Sequence, residues 1–243
     1  MKYLITIIGH ARTGTNYLCQ LLEKGFDDIN SNYELFNCKN CFINTQYLDA
    51  MTNIYKNKDL SKYSRNDPIL FLENLIKISN EPIVSHKIFP EHISLDHVYQ
   101  ILNKSNYVII LKRKFIDVYI SKKRAISMLK SHKDPWIKIN TTNYKIEFLP
   151  TEYESQKKIY DQWYQKTLEY IKKNNIKYII LDYDCFHQLS ITEQKYLLQS
   201  NIQKNLDISI SCNHTIPTLS KQDKSNNYKT KIKNYEEFST YFT

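Results

Sequence analysis

The sequence predicts an α/β fold in which a mostly parallel central sheet is flanked by layers of helices. Runs of β-branched and aromatic residues alternate with amphipathic helical patterns, the order typical of parallel βα units. Two of the three glycines bracket the first strand-to-helix junction. Polar and charged residues follow several predicted strands, where open sheets of this class bind their ligands. We therefore expect a three-layer fold in a single domain over residues 1–243.

The first element is a strand over residues 2–8, followed by a loop and a helix whose apolar residues in 17–22 form one stripe. In the loop, Gly9 and Gly14 have the G-x-x-x-x-G spacing of a phosphate-binding loop. Helix N-termini bind anions through their outward N–H groups, so the junction predicts either a P-loop-like anion site or an ordinary βα turn. Residues 15–16 are Thr-Asn, where a nucleotide kinase would have Lys followed by Ser or Thr.

The later elements follow from the same periodicities. The segment that ends at 33–36 predicts a second strand or strand edge, and residues 42–68 predict an irregular or partly helical insertion. The remaining predictions are helix 68–79, a strand at the start of 82–92, helix 94–102 with Ser94 as its N-cap, strand 107–111, a helix from about 115, helix 151–174, strand 177–181 and helix 191–202.

The composition describes a globular, basic chain. It is 42% hydrophobic and 13% aromatic, which argues against disorder, and its net charge is +9. Such a charge suits nucleic acid, an anionic membrane or an anionic small molecule. Because the lysines are dispersed, we expect most of them to solvate the surface, with no nucleic-acid partner. No apolar run is long enough for a transmembrane segment and no signal-peptide pattern is present, so we expect a soluble, cytoplasmic protein.

The five cysteines are few, scattered and odd in number, which favours reduced thiols. Cys38 and Cys41 form a lone C-x-x-C pair, which is half of a zinc site, a redox pair or two thiols without special function. No second pair or histidine motif accompanies it, so no metal site is predicted.

Two basic stretches carry a resemblance to sulfotransferases that use 3′-phosphoadenosine 5′-phosphosulfate (PAPS). Arg12 followed by Thr13, Gly14, Thr15 and Asn16 is similar to the 5′-phosphosulfate loop of that family. Arg113 after strand 107–111, with Ser121 in the following helix, resembles its 3′-phosphate site. A guanidinium offers a planar fork to a phosphate, and a serine hydroxyl adds a donor. The resemblance implies that all these residues bind PAPS.

Further residues resemble the bacterial carbohydrate sulfotransferases of the trehalose, lipopolysaccharide and Nod-factor types. Glu34, in Tyr-Glu-Leu-Phe, matches their proposed base, although by position alone it is equally a surface carboxylate. Lys87 matches a strand-end lysine, and the neighbouring His86 is either structural or an alternative base. Lys221 and Gln222 match a late loop that closes over the nucleotide, or lie in a solvated tail.

The resemblance implies an enzyme that transfers a sulfuryl group from PAPS to a hydroxyl of a carbohydrate or glycolipid acceptor and releases 3′-phosphoadenosine 5′-phosphate (PAP). Its catalytic residues would be Glu34, Arg12 and Lys87. Trp136 is a candidate for stacking on an adenine or a sugar, or for packing. Two alternatives stay open: a P-loop nucleotide or nucleoside kinase, and a non-catalytic nucleotide- or sugar-binding module.

Overall fold

The computed structural model describes residues 1–131, 144–218 and 227–242. Trp136, Lys221 and Gln222 therefore lie outside the described residues. The chain divides into two compact units, Met1–Lys112 with Lys166–Ser220, and Arg113–Gln165 with Lys221–Thr243.

The first unit contains a five-stranded sheet in which every neighbouring pair of strands is parallel, and the predicted α/β class is confirmed. The strand order is β2-β3-β1-β4-β5. The central β1 therefore lies where the chain changes direction across the sheet, the position at which such folds form a ligand crevice. The strands are β1 (Tyr3–Ile8), β2 (Ile29–Ser31), β3 (Ile83–Ile88), β4 (Tyr107–Lys112) and β5 (Tyr178–Asp182).

The predicted second strand is present as β2, but it ends at Ser31, before the predicted end at 33–36. Pairing with β3 continues briefly, since the Lys87 N–H donates to the Tyr33 carbonyl. The chain then turns at Leu35 and Phe36, whose side chains are fully buried. Their apolar character thus reflects packing beneath a turn rather than a strand.

Helices occupy the segments between the strands, and the 42–68 insertion contains two of them. The Ser94 hydroxyl accepts a hydrogen bond from the His97 N–H, which confirms the predicted cap. The helices are α1 (Thr15–Gly25), α2 (Thr45–Tyr55), α3 (Ser61–Asn66), α4 (Pro68–Ile78), α5 (Leu95–Lys104), α6 (Phe115–Ser131), α7 (Pro150–Lys173), α8 (Tyr183–Gln188), α9 (Ile191–Leu206) and α10 (Tyr235–Phe242), with a 3₁₀ turn at Tyr228–Thr230.

The sheet buries different residues on its two faces because side chains alternate along a strand. On one face Ile5, Ile7 and Ile109 belong to a core cluster with residues of α1 and α9. On the other face the Thr6 hydroxyl forms a hydrogen bond with the hydroxyl of Ser105, the C-cap residue of α5. Both faces of the sheet are therefore covered, as the apolar runs of parallel strands require.

The second unit has an aromatic core. Phe148 is fully buried, and its ring contacts Tyr119, Tyr153, Phe238 and Phe242. These residues join α6, α7 and α10. No helix among the described residues of the whole chain is long and apolar enough to cross a membrane.

Candidate functional site

The loop after β1 has a backbone that two glycines make possible. Gly14 has φ 92° and Arg12 has φ 72°, both in the left-handed region. A Cβ added to Gly14 would lie 2.1 Å from the ring of Tyr183, and one added to Gly9 would lie 2.5 Å from the Thr15 methyl group. The predicted phosphate-loop spacing therefore coincides with a tightly folded loop at the carboxyl end of the central strand.

Thr13 closes this loop on itself. Its hydroxyl donates to the His10 carbonyl at 2.7 Å and accepts from the His10 N–H at 3.3 Å, and its own N–H donates to the same carbonyl. The residue is fully buried. The side chain of Thr13 thus shapes the loop, and the polar groups presented outward come from its neighbours.

The N-terminus of α1 is suited to an anion. Gly14 is the N-cap, and within the described part of the chain no side chain caps this helix. Its first turn holds no acidic residue. Arg12 is exposed, Asn16 is half-buried and Thr15 is buried. Amide N–H groups and the positive end of the helix dipole therefore meet beside a guanidinium-bearing loop.

Lys87 joins the N-terminus of α1 to Glu34. It lies near the carboxyl end of β3, and its side chain is only 1% exposed. Its ammonium lies 3.1 Å from Glu34 Oε1 and donates to Asn16 Oδ1. The rings of Phe89 and Tyr33 lie 5.0 and 5.7 Å from the same nitrogen. A charge this deeply buried needs such partners, so Lys87, Glu34 and Asn16 form one coupled group.

Glu34 is held as a carboxylate. Its side chain is 17% exposed, and burial by itself would raise its pKa. His92, the positive charge of Lys87 and a 2.7 Å hydrogen bond from Asn37 outweigh burial and lower the pKa of Glu34 from 4.5 to about 2. The group is therefore ionised throughout the neutral range. Its basicity depends on the Lys87 charge, because removing that charge would raise its pKa.

His92 supports the same carboxylate. The Phe89 N–H donates to His92 Nδ1 at 3.2 Å, so Nδ1 acts as an acceptor and Nε2 carries the proton of the neutral ring. That Nε2 lies 3.7 Å from Glu34 Oε2, longer than a direct hydrogen bond but within electrostatic contact. Sequence reasoning did not identify His92, because only the turn after β3 brings its ring back to Glu34.

His86 has a different, structural environment. It is fully buried, its Nε2 lies 3.0 Å from Thr6 Oγ1, and its ring lies edge-on to Phe36. Ser105 donates to the Ile101 carbonyl, so Thr6 donates to Ser105 and in turn accepts from His86. Burial lowers the pKa of His86 to about 3, with a smaller effect from His92. His86 is thus a neutral hydrogen-bond donor inside the sheet layer, and the alternative base suggested by the sequence is disfavoured.

Arg113 and Ser121 belong to the second unit. Arg113 directly follows β4 in the chain, and Ser121 is half-buried in the second turn of α6, as the sequence predicted. The Tyr160 hydroxyl accepts from the Arg113 N–H at 3.1 Å and donates to the Arg113 carbonyl at 2.6 Å. No sequence pattern identified Tyr160, since it lies 47 positions further along the chain.

Cys38 and Cys41 are free thiols, Cys38 exposed and Cys41 partly covered. Burial raises the pKa of Cys41 to about 12, so this thiol is poorly suited to nucleophilic or redox chemistry. The described residues include no cluster of three or more His, Cys, Asp or Glu side chains able to hold a metal ion.

Comparison with known proteins found no family model that matches this chain and no curated protein significantly similar to it. Function must therefore be inferred from the chemistry of the site.

Proposed function

We propose that this protein is a PAPS-dependent sulfotransferase that acts on a hydroxyl group of a carbohydrate or glycolipid. The observation that carries the proposal is the buried ammonium of Lys87, which is shared between Asn16 in the first turn of α1 and the carboxylate of Glu34. Transfer to a hydroxyl requires an anion site and a proton acceptor side by side, and this shared contact supports both.

The loop residues fit the sulfated end of the donor. The uncapped N-terminus of α1, together with Arg12, Thr15 and Asn16, provides N–H groups and positive charge for a phosphate. When bound, PAPS would supply the sulfuryl group and a phosphate as leaving group. Arg12 and Lys87 would stabilise the charge that develops on that phosphate, an effect worth about 3 kcal/mol for a single well-placed donor in other enzymes.

The 3′-phosphate of the donor is assigned to Arg113 and Ser121, the residues that carry the resemblance to a 3′-phosphate site. In this proposal Arg113 binds the 3′-phosphate with its planar fork and Ser121 adds a hydroxyl donor, which selects a 3′-phosphorylated nucleotide over ATP. Lys221 and Gln222, outside the described residues, complete the assignment as contacts from the late loop.

Glu34 is the proposed base and would accept the proton of the acceptor hydroxyl. Positioned general bases typically contribute about 10²–10⁴-fold in rate. A carboxylate with a pKa of about 2 is a weak base, but it gains basicity when the charge of Lys87 turns toward a bound anion. Lys87 would in this way make proton acceptance depend on an occupied donor site.

Calorimetric titration with PAP, 5′-AMP and ATP tests the donor assignment. We expect PAP to bind most tightly, and Arg113→Ala to abolish the preference for PAP over AMP, a loss of about tenfold to a hundredfold. Lys114→Ala is the matched control, because it removes the same charge from the adjacent, exposed position. Equal binding of PAP and AMP by the wild-type protein would exclude the 3′-phosphate assignment.

Transfer of radiolabelled sulfate from PAPS to carbohydrate acceptors tests the reaction. Glu34→Gln should lower turnover by about 10²-fold or more while PAP binding remains. Tight PAP binding with no transfer to any acceptor would indicate a non-catalytic binding module. Magnesium-dependent transfer from ATP would instead favour the kinase.

A further inference from the structure

We propose that Tyr160 is a positioning residue for Arg113 and thereby sets the selectivity for a 3′-phosphate. The inference rests on the proposed function. It concerns a contact within the second unit, between α7 and the residue that follows β4. Tyr160 does not contact the nucleotide in this account and acts through Arg113 alone.

The hydroxyl of Tyr160 makes two hydrogen bonds to the backbone of Arg113, an arrangement called the clamp below. The Tyr160 hydroxyl accepts from the Arg113 N–H at 3.1 Å and donates to the Arg113 carbonyl at 2.6 Å. Arg113 lies in the short connection between β4 and α6, where neither strand nor helix supplies these hydrogen bonds. A single hydroxyl thus satisfies both backbone groups of Arg113.

Fixing both backbone groups restrains the direction in which the Arg113 side chain leaves the chain. An arginine fork gains specificity from the angles of its hydrogen bonds as well as from its charge. Phosphate recognition by arginine therefore depends more on side-chain orientation than recognition by a simple point charge does. The Tyr160 ring is itself held, because it is 5% exposed and packs 5.0 Å from the ring of Phe115. The hydroxyl is therefore presented by a rigid support.

Tyr153 provides a matched control on the same helix. It is 4% exposed, and its ring lies 5.2 Å from the same Phe115 ring. Among the described residues no hydrogen bond joins Tyr153 to Arg113. Tyr153→Phe and Tyr160→Phe therefore each remove one hydroxyl from a buried ring that packs on Phe115, and only the second removes the hydrogen bonds to Arg113.

The experiment measures binding of PAP and 5′-AMP to wild type, Tyr160→Phe, Tyr153→Phe, Arg113→Ala and the Tyr160→Phe/Arg113→Ala double variant. Tyr160→Phe should reduce the ratio of PAP to AMP affinity about tenfold while AMP affinity stays within about twofold. Tyr153→Phe should keep the wild-type ratio. In the double variant, the loss of Tyr160 should have no further effect on the ratio, because its influence passes through Arg113.

Three results would overturn the inference, and they are distinguishable. A wild-type ratio in Tyr160→Phe removes the positioning role and leaves the proposed function intact. An equal loss of PAP and AMP affinity, accompanied by a lower melting temperature, assigns the hydroxyl to stability alone. No PAP preference in the wild-type protein refutes the proposed function and this inference together.

Discussion

Replacing Glu34 by Gln should change the pH dependence of stability in a way that identifies the buried ion pair. The pKa of Glu34 falls from 4.5 to about 2 in the folded protein. Because the folded pKa is the lower one, ionisation of Glu34 stabilises the fold above about pH 4.5. That contribution is lost as the pH falls from about 4.5 toward about 2. Glutamine has no such titration.

The magnitude follows from the pKa difference. Each pKa unit corresponds to about 1.4 kcal/mol, so the ionised Glu34 contributes about 3 kcal/mol at neutral pH. By about pH 3 roughly 2 kcal/mol of this is lost, since the unfolded carboxyl group is then protonated and the folded one is still mostly ionised. The side chain is 17% exposed, so solvent screens the interaction only in part.

Urea denaturation, followed by circular dichroism at about pH 6 and about pH 3, measures the effect. At about pH 6 Glu34→Gln should be less stable than wild type by about 3 kcal/mol. From about pH 6 to about pH 3, the free energy of unfolding of wild type should fall by about 2 kcal/mol more than that of the variant. The difference between the two proteins isolates Glu34, because all other carboxyl groups are common to both.

A second glutamate–lysine pair of nearly equal length serves as the control. Glu73 and Lys104 lie 3.0 Å apart, but both side chains are more than half exposed. Glu73→Gln should therefore change the free energy of unfolding by less than about 1 kcal/mol at about pH 6. Parallel loss of stability in wild type and Glu34→Gln on acidification would refute the reasoning, as would a Glu73→Gln effect as large as that of Glu34→Gln.

Three further results are expected. Gly14→Ala should destabilise the protein by at least about 2 kcal/mol in urea denaturation, because alanine at φ 92° is strained and its Cβ meets a buried tyrosine ring. Gly25→Ala, where the nearest atom is a flexible lysine carbon at 3.1 Å, should change stability by less than about 1 kcal/mol, and similar effects at both glycines would contradict the loop geometry. His92→Ala should raise the pKa of Glu34 from about 2 toward 4.5, as followed by ¹³C NMR of the carboxyl carbon, and an unchanged titration would show that the 3.7 Å contact has no electrostatic effect. Ser190→Ala removes the capping box of α9 and should lower the free energy of unfolding by about 1 kcal/mol in urea, whereas no change would assign that helix start to packing alone.

The first unit shows which elements local sequence patterns can predict. Apolar runs and glycine spacing predicted β1, the loop and α1 because each depends on residues close together in the chain. The predicted end of the second strand, at 33–36 rather than Ser31, was wrong for a related reason. Leu35 and Phe36 are apolar because they pack under a turn, and a short apolar run does not distinguish the two situations.

Lys87 and Glu34 were candidates from the sequence, but their direct contact depends on the fold. The parallel register sets Lys87 opposite Ile7, one strand away from the loop, and the turn after β2 returns Glu34 to the same ammonium. His86 and Lys87 are adjacent in the chain, yet the alternation of strand side chains directs them to opposite faces, one into a hydrogen-bonded layer and the other to the loop.

By itself the sequence determined the α/β class, most of the element boundaries and the glycine-bracketed loop after β1, because periodicity and turn chemistry are local properties of the chain. The tertiary structure alone decided that Lys87 is shared between Asn16 and Glu34, that His92 faces Glu34, and that Tyr160 clamps Arg113. Each of these contacts joins residues separated by many positions, and only the packing of the strands and helices fixes their distances.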